Sequence, residues 1–110
     1  MADPRLKQLT IKTGVLKRLA KEKISYEKEA EQQKVRVEKL KAENGDEHMI
    51  KKQEEVLQES LMMLPDCQRR LTKAFADLDE LLKNEEELKE TKEYENALAV
   101  IEEAKVTMAA

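Results

Sequence analysis

From Leu9 onward, apolar or tolerant residues recur at alternating steps of three and four: Leu9, Lys12, Leu16, Leu19, Lys23, Tyr26, Ala30, Gln33, Val37 and Leu40. That spacing keeps one seam on one helical face for more than four heptads. Asp3 can cap the first free amides, and Pro4 suits the first helical position, where its missing N–H would have no partner anyway. Helix 1 is therefore expected over about residues 4–42. Gly14 falls on its outer face and should weaken the helix without stopping it. Asn44 and Gly45 then supply a left-handed C-terminal turn, and Asp46 supplies the next cap. In helix 2, about residues 46–83, Ile50, Leu57, Leu64, Leu71 and Leu78 lie seven apart, and Gln53, Ser60, Cys67, Ala74 and Leu81 each follow by three. Pro65 sits inside this run on the solvent side, directly after Leu64. Because the phase does not slip across it, the pattern favours one helix kinked at Pro65 over two separate helices.

A third apolar pattern carries Leu88, Thr91, Tyr94, Ala97, Leu98, Ile101, Ala104 and Met108. Asn84 with Glu87 three positions on resembles a capping box, which sets helix 3 over about residues 86–108. The expected fold is all-α: one domain over residues 1–110, a monomeric up-down-up three-helix bundle with left-handed coiled-coil-like packing. Helices 1 and 2 are about 57 Å long and helix 3 roughly 36 Å at 1.5 Å per residue, so helix 3 cannot cover its partners completely. The uncovered end should be the one around Gly45. Consistent with that, Leu61, Phe75 and Leu82 widen the stripe on the later part of helix 2, whereas the equivalent earlier position is Glu54. The half around Gly45 should form a two-helix arm with a polar-diluted seam of Tyr26, Gln33 and Gln53, less stable than the rest.

Composition narrows the function classes. Of the 110 residues 41% are charged, 3% are aromatic and none is tryptophan, as in helical bundles and coiled coils. A net charge of −3 gives no support for nucleic-acid binding. The charge is nonetheless polarised. Residues 5–23 hold seven basic residues against one acid, and residues 77–103 hold three against eleven. The two segments either lie side by side and attract weakly, or leave a basic surface facing a partner. No signal peptide or long apolar run is present, which points to a cytoplasmic chain, and a membrane helix is disfavoured because Glu shares the polar faces with Lys.

Catalytic signals are missing. His48 stands alone beside a turn, without the companions a zinc site needs. Cys67, the single cysteine, lies on the seam and reads as a buried structural thiol. There is no Gly-rich phosphate loop, and so slender a bundle offers little volume for a catalytic pocket. The chain reads as a non-enzyme without metal or cofactor. What remains is surface: Met62 and Met63 fall off the seam beside Pro65, with Arg69 and Arg70 following, and Ile11, Ile24 and Val35 are scattered off the seam as well. A flexible thioether adapts to an imperfectly folded partner, and arginines pair with its acids, although an ordinary solvated face has the same composition.

The segments MADPR, IKTGV at 11–15, YEKEA at 26–30, IKKQ at 50–53, and LQES followed by MMLPDCQRRL resemble, in order and spacing, the tubulin-folding cofactor A (tubulin-specific chaperone A) family. The resemblance implies a cytoplasmic, cytoskeleton-associated three-helix chaperone without nucleotide hydrolysis. Such a protein captures β-tubulin folding intermediates after the chaperonin and holds them, stoichiometrically, for the later tubulin-folding cofactors that assemble the αβ heterodimer. Carried onto this chain, it points to the face around Met62, Met63, Pro65, Asp66, Arg69 and Arg70, with Lys17, Arg18 and Lys21 of helix 1 as secondary candidates. The same heptads also fit a homodimeric or homo-oligomeric coiled-coil scaffold with no chaperone role.

Overall fold

A computed structural model describes residues 3–110; Met1 and Ala2, the first two positions of the expected domain, lie outside the described residues. Helix α1 spans Pro4–Ala42 and α2 spans Glu47–Asn84. A single 3-10 turn, Glu86–Leu88, follows, and α3 spans Lys92–Ala109. The molecule is a rod of 65 × 20 × 18 Å.

Local chemistry sets each boundary. The Asp3 carboxylate accepts from the Arg5 N–H at 2.9 Å ahead of Pro4, and the Asp46 carboxylate accepts from the His48 N–H at 3.0 Å. Arg5 also donates side-chain hydrogen bonds to Asp3, which hold that carboxyl below its ordinary range. Between α1 and α2, Asn44 takes the left-handed conformation at φ 53°. Gly45 meets a different demand: its N–H donates to the Leu40 carbonyl at 2.8 Å, and a Cβ there would lie 3.0 Å from that same oxygen.

The start of the third helix differs from the sequence expectation. α2 runs on through Asn84, and neither Asn84 nor Glu87 caps α3. Thr91, in extended backbone, accepts from the Tyr94 N–H at 3.2 Å instead, and α3 begins at Lys92. The intervening 3-10 turn buries Leu88 against the core. At 18 residues α3 is about 27 Å long, shorter than its sequence pattern implied.

Cross-helix contacts give the topology. Lys41 pairs with Glu54 and Gln33 with Gln53, while the Cys67 sulfur lies 4.0 Å from the Leu19 carbonyl, so α2 runs antiparallel to α1. Arg5 reaches Glu85 and Glu87, and Lys23 reaches the Thr107 carbonyl, so α3 runs back parallel to α1. It ends level with Lys23, whose ammonium donates to Thr107 at 2.7 Å and lies 3.4 Å from Glu27. A cation at a helix C-terminus complements the carbonyls left free there. The polarised charge is thus partly satisfied internally.

The continuous core lies only where three helices overlap. Leu9, Leu16 and Leu19 of α1 pack with Leu71, Leu78 and Leu82 of α2 and with Leu88, Tyr94, Ala97, Val100, Ile101 and Ala104. The buried Tyr94 hydroxyl donates to the Leu82 carbonyl at 2.9 Å. Two sequence assignments change: Thr13 is buried where Lys12 is only half-buried, and Val100 enters the core where Leu98 stays 46% exposed. The α3 stripe centres on Ala97 and Ala104, which leaves Leu98 at its edge. Leu61, expected to widen the α2 stripe, is 43% exposed because α3 ends just short of it. Beyond that level α1 and α2 continue alone. There α1 buries Ala30, Gln33 and Val37, and the facing Ile50, Gln53, Leu57 and Ser60 of α2 are half-buried.

Gly14 is exposed in mid-helix with nothing within 4 Å of a Cβ placed on it. Gly14→Ala is expected to stabilise the fold by about 0.5–1 kcal/mol, since alanine loses less backbone entropy and meets no clash. Thermal unfolding checks this, and an unchanged or lower melting temperature would contradict it.

Candidate partner-binding surface

The expected partner face lies on α2 where α3 stops. Met62 and Met63 are 69% and 48% exposed, and Pro65 is exposed beside them without interrupting the helix. Asp66 sits one turn on from Met62 and holds both arginines, Arg69 at 3.0 Å and Arg70 at 3.2 Å. These pairs are solvent-exposed, so they orient the guanidinium groups at little energetic gain and can exchange for carboxylates of a partner. Helical spacing splits the group into two adjacent strips: Met62, Asp66 and Arg69 on one, Met63 and Arg70 on the next.

The secondary candidates separate. Arg18 pairs loosely with Glu22 at 3.8 Å and faces a groove that it shares with Arg70. Lys17 and Lys21 line a depression with Ile24, Val100 and Ala104 on the α3 side, and they share a second one with Arg18 and Glu22 on the outer face of α1. Arg18 therefore belongs to both surfaces, whereas Lys17 and Lys21 adjoin it on α1 without lining the groove it shares with Arg70.

The groove, of about 520 Å³, runs between α1 and α2 and contains no α3 residue. Ile11, Val15, Leu19 and Ala74 give it an apolar floor, and Lys12, Arg18, Arg70 and Lys73 give it a basic rim interrupted by Glu22 and Asp77. A slender bundle was expected to offer little such volume. It arises because Ile11, Val15, Arg18 and Glu22 form a second stripe on α1 at steps of four, three and four, beside the core seam. That spacing was the available signal for Ile11 and Val15; Lys73 carried none.

Other reactive groups are confined or isolated. Cys67 is buried, and loss of hydration pushes its thiol above the ordinary value, which disfavours the nucleophilic thiolate. His48 is exposed beside the turn. Among the described residues no three His, Cys, Asp or Glu side chains converge as metal ligands, and no helix is long and apolar enough to cross a membrane.

Residues 4–101 match the family model for tubulin binding cofactor A. The chain is 62% identical to the tubulin-specific chaperone A of Gallus gallus over 106 residues, covering 96% of this chain and 98% of that one. Its fold superposes on a human tubulin chaperone cofactor A structure with a TM-score of 0.83 at 54% identity, covering 93% and 99% of the two chains. It superposes on the crystal structure of tubulin folding cofactor A from Arabidopsis thaliana with a TM-score of 0.86 at 40% identity, covering 94% and 97%. An all-α rod of three helices, matched over nearly its whole length in sequence and in shape, belongs to the tubulin binding cofactor A family.

Proposed function

We propose that this protein is a cytoplasmic tubulin-folding chaperone that captures β-tubulin folding intermediates after the chaperonin and holds them for the later cofactors of heterodimer assembly. The observation that carries this reading is the family match over residues 4–101 on a rod that keeps its core leucines inside one chain and presents charged, methionine-bearing outer faces. A holding chaperone needs area rather than a reactive centre, and it acts by occupying a sticky client surface, with no chemical turnover. The scaffold alternative is less favoured, because the seam leucines that would drive self-association are buried within the bundle. The protein then acts as a monomer, and sedimentation velocity should give one species across concentrations.

The client test is a pull-down from cytosol with the full chain as bait. β-Tubulin free of α-tubulin should dominate the bound fraction, and recovery of assembled heterodimer alone would overturn the reading. Within it, the Met62–Arg70 face makes the contact. Arg69→Glu with Arg70→Glu should weaken capture by about tenfold, equivalent to about 1.4 kcal/mol, while circular dichroism stays unchanged. Full capture by that variant would move the contact elsewhere.

A further inference from the structure

A three-helix bundle of unequal helices leaves room for a fourth. α3 covers one side of the α1–α2 pair, and the groove lined by residues 8–22 and 70–77 stays open on another. Fourteen steps along α1 correspond to about 21 Å, or four helical turns. The floor is apolar, and Ile11 stands 55% exposed in it. Around that floor the charge is opposite in sign to the net −3 of the chain, with four cations against two carboxylates. Glu22 is already engaged by Arg18, and Arg70 by Asp66. Lys12 and Lys73 make no ion pair among the described residues.

We infer that this groove docks an acidic amphipathic helix of the tubulin client, its apolar stripe on Ile11, Val15 and Ala74 and its carboxylates toward Lys12 and Lys73. The inference rests on the client reading above and adds to it a specific seat and a specific chemistry. Charge complementarity selects the occupant, since a basic helix would meet the unpaired ammonium groups of Lys12 and Lys73. The groove is also continuous with the proposed face through Arg70, which follows Met63 by two turns. A second copy is the rival occupant, because the outer face of α3 carries exposed Leu98 and Val106 among Glu95, Glu102 and Glu103.

The test uses Ile11→Glu combined with Lys73→Glu, both exposed positions, and Leu98→Glu on α3 as control. One arm measures capture of chaperonin-released β-tubulin by the full chain. The other measures, by fluorescence anisotropy, a stapled peptide of about four turns with leucine at helical spacing and glutamate elsewhere, against a counterpart with lysine in place of glutamate. The double variant should lose about tenfold or more in both arms with unchanged helicity, the control should retain both, and the lysine peptide should not bind. Undiminished capture by the double variant overturns the groove and leaves the client reading intact. If the unaltered protein captures no β-tubulin, the client reading fails. The peptide arm then decides the groove alone: selective acidic binding lost in the double variant keeps it as a seat for an acidic helix while overturning its tubulin occupant, and no binding overturns both. Concentration-dependent self-association abolished by the double variant overturns it in favour of a second copy.

Discussion

Leu71→Ala is expected to lower the unfolding free energy by about 3 kcal/mol, a large share of the roughly 5–15 kcal/mol that holds a typical domain together. Leu71 is fully buried in the cluster formed with Leu16, Leu19 and α3, so truncation removes its transfer free energy and leaves a cavity that three rigid helices close poorly. Leu57, at the equivalent heptad position two repeats earlier, is only half-buried and lies where α1 and α2 run alone. Leu57→Ala should cost about 1 kcal/mol, because water already reaches the side chain and no third layer encloses a void. Urea denaturation with an unchanged m-value would read both effects. Equal losses at the two sites would mean that stability is spread evenly along the rod, contrary to the distribution of its buried leucines. The same contrast should appear in amide exchange, with residues 24–64 opening more readily than the three-helix part.

The α1 and α2 seams were legible because burial in a long helix acts through spacing, and spacing is a property of the sequence alone. Lys23 shows where that ends. Its place on the seam could be read from the heptads, but its amine is tolerated there because α3 terminates beside it and presents the Thr107 carbonyl. No local signal specifies where a helix 84 residues further on will stop. Thr91 was missed as a cap for a related reason. Asn84 and Glu87 match a capping pattern, but α2 keeps its hydrogen bonding past Asn84, and the extended backbone that makes Thr91 a cap exists only once Leu88 is anchored in the core. The groove was invisible because its walls, residues 8–22 and 70–77, are far apart in the chain and neither wall has the character of a site by itself. The Met62 and Arg70 face could be nominated but not ranked, since exposed residues leave no packing pattern against which to judge them.

Pro65→Ala is expected to raise stability by about 2 kcal/mol and to weaken β-tubulin capture at the same time. The helix passes through Pro65 without a break, so the ring removes one donor inside a hydrogen-bonded run and crowds the Leu61 carbonyl that would have accepted it. Alanine restores both, and because the side chain is exposed its removal leaves no cavity. The intrinsic difference between the two residues in a helix interior is about 3 kcal/mol; part of it is recovered by water at an exposed turn, hence the smaller expected gain. At functional surfaces stability is commonly traded for a particular backbone geometry. Met62 and Met63 lie three and two residues before it, and Arg69 and Arg70 follow by about one turn, so a change of backbone path at Pro65 re-aims both ends of the proposed contact relative to α1. Chemical denaturation and a β-tubulin pull-down on the same preparation separate the two effects. A more stable variant with full capture would show that Pro65 shapes nothing the client touches, and would leave the surface between Met62 and Arg70 without its geometric rationale.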